Sequence, residues 1–399
     1  MTSKILAEII FWSSVSVLFY VYIGYPLLVY AVSQLFPKRI NKDAFDPRVS
    51  VIISAYNEER DIRVKLENTL SLQYPPEKLE IIVASDCSTD RTDEIVGEFT
   101  ARGVKLYCQA ERKGKTSAQN MAVEQATGEI ILFSDATTLY EADVLLAMLP
   151  NFADETIGCV AGKLIYVDES ASSVGKGARS YWNYETFLKE SESRACSLIG
   201  TSGCLYAVRK SAYQPMYPEA CSDFLIATLV YKQGLRTIYE PQAVCTEETN
   251  QKSQKEMQMR VRVISQTFTD LWRNREMLNP LKNGFFAVEL VSHKLLRYSV
   301  PIFLILVLLA AGIGTFYSTF FLAVFVLQLV FYATALTAWF LEKMEIKIGV
   351  LAIPLYFVLT NLAALIGFYK FLRGERYARW EPIRENKREI NQTAKPARR

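Results

Sequence analysis

The chain reads as an α/β protein, with a doubly wound, Rossmann-like soluble domain, interfacial amphipathic helices and about four transmembrane helices. Three observations predict this. Short β-branched runs alternate with helical patterns four times between residues 48 and 152. Long apolar stretches stand on either side of that region. Single aspartates, Asp86, Asp135 and then Asp223, stand at the ends of successive apolar runs or open the next helix.

The membrane part follows from length and charge. With 399 residues, half of them apolar, the chain exceeds one domain of roughly 100 to 200 residues. Between Ile5 and Phe36 the lone charged residue is Glu8, so residues 5–36 read as an N-terminal transmembrane helix. A cleaved signal peptide is the alternative, but this stretch exceeds its core of about 7 to 15 residues, and no small-residue cleavage site precedes Pro37. Tyr298 to Leu341 carries no charge, enough for two helices at about 20 residues each, and Ile348 to Phe371 offers one more. Residues 298–371 therefore read as C-terminal spans and 372–399 as a basic tail. Lys38, Arg39 and Lys42 follow the first span and place the domain on the cytoplasmic side of the cytoplasmic (inner) membrane, in a multi-pass protein. The cations of the tail, among them Arg373, Arg376, Arg379, Arg384 and Arg399, ask for the same side, yet three crossings would put them opposite. One apolar segment is then re-entrant, or the tail breaks the rule.

Seven cysteines, with no CxxC spacing, fit a reducing compartment and argue against a zinc or redox site.

Within the soluble region, residues 47–250, strands are expected at Arg48–Ala55, Leu79–Ser85, Val104–Cys108 and Glu129–Ser134. Helices fill the gaps at Ile62–Leu72, Thr89–Thr100, Thr116–Ala126 and Glu141–Phe152. The second half is less regular, with strands at Gly158–Val167, Gly203–Val208 and Arg236–Tyr239 and helices at Arg179–Glu192 and Asp223–Gln233. Residues 254–297 mix apolar residues with Arg260, Arg262, Arg273, Arg275, Lys294 and Arg297, as helices lying among lipid headgroups do, with membrane lipids as partners.

Ligands of such sheets bind beyond the carboxyl ends of the strands, where Tyr56, Asp86 and Asp135 lie. Asp86 can accept hydrogen bonds from a base or ribose, while Thr89 or Asp90 caps the next helix. Arg112-Lys113-Gly114-Lys115 sets cations before a helix N-terminus, an anion site or a plain solvated charge run. It lacks the Walker A spacing. Asp135 could hold a hard divalent cation completed by diphosphate oxygens and water, or simply make a turn. Asp223 opens a helix and is either its cap or a general base. The single histidine, His293, lies far from these motifs in sequence, which leaves oxygen ligands and Mg²⁺ or Mn²⁺.

Taken together, Val51-Ile-Ile-Ser-Ala-Tyr-Asn-Glu-Glu59, Ser85-Asp-Cys-Ser-Thr-Asp90, Lys115 with Asn120, Ser134-Asp-Ala-Thr137, Ser202-Gly-Cys-Leu-Tyr-Ala207 and Ser222-Asp-Phe-Leu225 resemble the membrane-bound inverting family 2 glycosyltransferases. That group contains cellulose synthase, hyaluronan synthase and chitin-oligosaccharide synthase. The resemblance spans about residues 47–275. It implies a GT-A fold, a UDP-sugar donor and hexosyl transfer to a saccharide or lipid-linked acceptor, β-linked polysaccharide in the first instance. It makes Ala55, Tyr56, Glu58, Asp86, Lys115 and Asp135 nucleotide-pocket residues, Asp135 the metal ligand and Asp223 the base. Phe224 would line the acceptor site, and Arg260 or Arg262 would serve the diphosphate or acceptor. Two departures stand out. The second aspartate of the metal motif is Thr137, and the Gln-x-x-Arg-Trp motif survives only as Arg260-Val261-Arg262-Val263, without the tryptophan that stacks on acceptor sugar.

A second copy or an export partner is expected to help if product crosses the membrane, since four spans are few for a pore. No nucleic acid is expected. Two rivals remain: a nucleotidyl or phosphosugar transferase, which would use the same aspartates, and a nucleotide-binding transporter. The uncharged stretch from Tyr298 to Leu341 offers the latter no ion path. A dinucleotide-binding dehydrogenase is excluded, because no GxGxxG follows the first strand.

Overall fold

The first four strands pair in parallel in the order their helical crossovers dictate, and they carry the site at their carboxyl ends. In the computed structural model, which describes residues 2–167, 173–248, 253–344, 346 and 348–379, the strands are β1 Val49–Ala55, β2 Leu79–Ser85, β3 Val104–Cys108, β4 Ile130–Asp135, β5 Leu139–Tyr140, β6 Ile157–Val167, β7 Tyr206–Arg209 and β8 Arg236–Glu248. They form one mixed sheet in the order β3-β2-β1-β4-β7-β6-β8-β5. β7 runs antiparallel to both β4 and β6, β8 parallel to β6, and β5 antiparallel to β8. The doubly wound reading thus holds for β1–β4, and the later strands extend that sheet.

β1 is buried at every position, as a central parallel strand covered on both faces must be. Its alternate residues feed two cores. Val51 and Ile53 pack with Leu66, Ile95 and Phe152 on one face, and Ile52 packs with Ala122, Phe133 and Ile226 on the other. Helices Ile62–Leu70, Thr92–Gly97 and Lys115–Gln125 make the crossovers. Two of them are shorter than their patterns predict, and the chain after Val144–Met148 tightens into a 3₁₀ turn, Leu149–Ala153. β5, two residues long, escapes any periodicity argument.

Among the described residues four helices are long and apolar enough to cross a membrane: Ser3–Leu35, Pro280–Gly314, Thr319–Lys343 and Gly349–Leu372. Leu27, Leu309, Leu327 and Ile353 project outward from them. Ser3–Leu35 meets Pro280–Gly314 through Phe11, Ala310 and Ala311, with Phe321 from the next helix joining the cluster.

In the amphipathic region three cations have acidic protein partners. Arg260 pairs with Glu256 at 2.8 Å and donates to the Tyr356 hydroxyl. Arg273 pairs with Glu219, and Arg297 with Glu185 at 2.6 Å. Helix Ser253–Arg273 lies against the last apolar helix, Ala352–Leu372, through Ile264, Phe268, Ala364 and Phe368. The chain then returns to the soluble domain. The Tyr377 carbonyl accepts from Gln266 Nε2 at 2.7 Å, and Arg379 Nε donates to the Arg112 carbonyl at 3.0 Å. Arg373, Arg376 and Arg379 therefore sit on the domain's side, while the expected tail cations from Arg384 onward lie outside the described residues.

Candidate active site

Register places the functional side chains. Ala55 pairs with Ser85, and Ser54 with Asp135, so β1, β2 and β4 end level and the chain leaves them side by side. Two non-glycine residues at these exits hold left-handed backbone, Asn57 at φ 55° and Cys87 at φ 61°, a conformation that needs local support. It is supplied by reciprocal bonds between the two loops. Asn57 Oδ1 accepts from the Thr89 N–H at 2.7 Å, the Asn57 N–H donates to Ser88 Oγ at 3.2 Å, and the Glu58 N–H donates to Thr92 Oγ1 at 2.7 Å. Asp90 caps the Thr92 N–H at 2.9 Å, as its position predicts. Glu58 is buried by this arrangement, and Tyr56 lies beneath the Arg112 guanidinium, 3.7 Å from its ring centroid.

Asp86 is buried, and its carboxylate is occupied by protein donors. Oδ1 accepts from Gln109 Nε2 at 2.8 Å, the Lys113 N–H at 2.8 Å and the Gly114 N–H at 3.0 Å, while Oδ2 accepts from the same Gly114 N–H at 2.9 Å. It borders the expected base pocket and holds the 112–114 loop in place. Gly114 adopts φ +96°, and a Cβ there would stand 1.8 Å from the Ala378 carbonyl oxygen, so only glycine lets the returning C-terminal segment cross this loop.

The loop aims Lys115 inward. Its ammonium pairs with Asp135 at the end of β4. Burial alone would lower its pKa, but Asp135 and Asp223 hold it above the usual lysine range. A Cβ built on Gly203 would lie 3.3 Å from Lys115 Nζ and 3.3 Å from Asp223 Oδ2. Residues 115, 135 and 223, distant in sequence, thus converge on one point. Asp223 opens helix Ser222–Lys232, and its Oδ1 accepts from the Phe224 N–H at 3.1 Å and the Cys221 thiol at 3.1 Å. Its backbone carbonyl accepts from the Thr201 N–H at 2.8 Å. Oδ2 is left facing Gly203.

Behind it, Asp270 accepts from the Cys221 N–H at 3.1 Å and from the Tyr217 hydroxyl. Burial, with Asp223's charge adding to it, pushes the Asp270 carboxyl up to about 8. Of the two motif arginines, Arg262 approaches the site: burial lowers its pKa, and Cys221, Asp223 and Asp135 oppose that fall. Arg260 is held instead by Glu256 and Tyr356.

Beyond Asp223 a cavity of about 70 Å³ opens between the soluble domain and the apolar helices. Asp223, Phe224 and Thr201 form one wall, Val263 and Thr267 a second, and His293, Lys294 and Tyr298 the third. Val263, at the position of the absent tryptophan, lines it directly. His293, remote in sequence from every carboxylate motif, is in this wall, clamped by Glu192 at 2.6 Å on Nδ1 and Glu185 at 3.3 Å on Nε2. No periodicity could have brought it here.

Sequence reasoning also missed Glu247. Its Oε1 accepts from Thr137 Oγ1 at 3.0 Å, and burial together with Asp135's charge pushes its carboxyl up to about 7. Among the described residues no three His, Cys, Asp or Glu side chains gather into a ready metal cage. The donor set, carboxylate oxygens near one hydroxyl, suits Mg²⁺ or Mn²⁺ completed by substrate oxygens and water.

Residues 50–216 match the family described as Glycosyl transferase family 2. The poly-beta-1,6-N-acetyl-D-glucosamine synthase of Staphylococcus aureus (strain COL) is 29% identical over 213 residues, 52% of this chain and 51% of that protein. A probable glycosyltransferase, YdaM, of Bacillus subtilis (strain 168) is 29% identical over 217 residues, 51% of each. The chain thus spans about half the length of the curated relatives it matches. The solved mannosyltransferase PcManGT from Pyrobaculum calidifontis, in complex with GDP-Man and Mn2+, superposes with a TM-score of 0.69 at 22% identity, over 92% of this chain and 100% of that one. That likeness establishes the GT-A-like fold. The strand-end aspartates, the fold and the matched segment agree: this chain carries a glycosyl transferase family 2 domain.

Proposed function

We propose that the protein is an inverting, UDP-sugar-dependent hexosyltransferase working at the cytoplasmic face of the inner membrane, and that it builds a β-linked polysaccharide. The observation that carries this reading is the meeting of Lys115, Asp135 and Asp223 around Gly203. In that frame Ala55, Tyr56 and Glu58 line the base pocket, and Asp86 holds the loop that closes it. A divalent cation on Asp135, with Mg²⁺ or Mn²⁺ chemistry, would neutralise diphosphate charge.

Asp223 Oδ2 takes the proton from an acceptor hydroxyl. The freed oxygen attacks the anomeric carbon as the bond to the diphosphate oxygen breaks, which inverts configuration. Lys115 and Arg262 meet the charge that accumulates on the departing UDP. The acceptor, a saccharide or lipid-linked sugar, sits against Phe224 in the cavity beside the apolar helices. Since residues 378 and 379 touch the 112–114 loop of the domain, one of the three C-terminal apolar helices is read as re-entrant, and Ala352–Leu372, packed along Ser253–Arg273, is the natural choice.

The relatives' name favours polymer. One observation favours a second reading, single-sugar transfer: Val263 gives the acceptor wall no stacking platform where a tryptophan would hold a sliding chain. Purified protein in nanodiscs, given a panel of UDP-sugars with Mn²⁺ or Mg²⁺, is expected to release UDP and form a ladder of products. One-sugar products would select the second reading. Release of UMP or pyrophosphate in place of UDP would overturn glycosyl transfer itself.

A further inference from the structure

We propose that Glu247, brought in by β8, is the second protein ligand of the divalent cation, replacing the carboxylate that Thr137 lacks. This rests on the reading of Asp135 as a metal-binding aspartate beside a nucleotide diphosphate.

Register does the work. Leu139 pairs with Thr246 in the antiparallel β5–β8 ladder, so one step further along β8 lies Glu247, alongside the loop that joins β4 to β5. Tyr166 pairs with Glu247 on the other side of β8, which fixes its height in the sheet. Residues two apart on a strand share a face. Glu247 therefore points with Cys245, whose buried thiol lies 3.7 Å from that of Cys204, and its carboxylate is held at Thr137, two residues beyond Asp135.

Thr137 Oγ1 donates to Glu247 Oε1 at 3.0 Å, leaving Oε2 for a cation. The residue at the missing-aspartate position thus orients the carboxylate that takes its place, as a hydrogen-bonded neighbour fixes a metal ligand. Two monodentate carboxylates on one side, with diphosphate oxygens and water on the other, suit an octahedral cation. The Lys115 ammonium, now on Asp135, is then free to turn to phosphate.

The test reads Mn²⁺ uptake, not turnover. Binding of Mn²⁺ to the full-length protein in the presence of saturating UDP, followed by the loss of free-ion EPR signal, is compared across variants of matched thermal stability. Losing an outer-shell partner costs a metal site about 10- to 100-fold in affinity. Glu247→Gln is therefore expected to weaken Mn²⁺ binding by at least about 10-fold, with UDP binding in the absence of metal unchanged. Thr137→Asp in the Glu247→Gln background is expected to recover most of that loss, which a structural role for Glu247 would not allow. Should Glu247→Gln disturb folding, Glu247→Asp, which shortens the ligand but keeps the charge, carries the same expectation. Wild-type affinity in Glu247→Gln, with binding abolished in Asp135→Asn, would overturn the proposal and leave the aspartate reading standing. Unchanged binding in both variants would overturn the two together.

Discussion

Replacing Asp86 by asparagine is a small change with a calculable effect. Oδ1 accepts from three donors, Gln109 Nε2, Lys113 N–H and Gly114 N–H, while Oδ2 accepts from Gly114 alone. The amide nitrogen will therefore take the Oδ2 position, where it faces the Gly114 N–H donor to donor. The three bonds to Oδ1 survive but lose their charge. Hydrogen bonds to charged groups contribute about 1.5–3 kcal/mol against about 0.5–1.5 for neutral ones, so the loss is about 1 kcal/mol per bond and about 3 kcal/mol in all. At about 1.4 kcal/mol per decade, that is up to about 100-fold in the population of the ordered 112–114 loop. Since this loop aims Lys115 and lays Arg112 over Tyr56, nucleotide affinity is expected to fall by up to the same factor. Titration of UDP into wild type and Asp86→Asn, by calorimetry in detergent, reads this directly. An affinity within about threefold of wild type would refute the loop-holding role.

Other outcomes follow from the same geometry. Gly203→Ala inserts a methyl 3.3 Å from both Lys115 Nζ and Asp223 Oδ2. A misplacement of 1 Å costs about 100-fold, so a shift of roughly half that is expected to lower kcat about 10-fold, with the Kd for UDP unchanged; steady-state kinetics beside UDP titration decides it. Asp270, raised to about 8 in the fold from about 3.9 in the unfolded chain, takes up a proton on folding across that interval. Its contribution to stability is full below about pH 4 and is lost as pH rises towards about 8. Melting curves from pH 5 to 8 should show that decline in wild type, and Asp270→Asn should flatten it.

The parts of this fold legible in the sequence are those set by local physics. β1, β4 and most of β2 are apolar runs because both faces of each are covered, whereas the edge strand β3 is half-exposed, and the ends of β2 and β4 mark Asp86 and Asp135 without any tertiary information. Helical runs fill the gaps between them. What the sequence hides is pairing. β8 reads as a strand only to Tyr239, because Pro241 and the charged Glu247 and Glu248 look like a loop; a long ladder with β6, taken up again after the irregularity at Gly162/Lys163, keeps it extended. Glu247 was invisible for that reason. The partners of Arg260, Arg273 and Arg297, which are Tyr356, Glu219 and Glu185, come from other elements and leave no local trace in the sequence. His293 enters the cavity wall because the helices pack, and no spacing rule encodes that.

Asp223→Asn, assayed for donor binding and turnover on the same nanodisc preparation, isolates the proton transfer on which the proposed chemistry depends. General base removal is worth about 100- to 10,000-fold in rate. Turnover is expected to fall within that range while the UDP-sugar Kd stays near wild type; turnover close to wild type would remove Asp223 from the role of base.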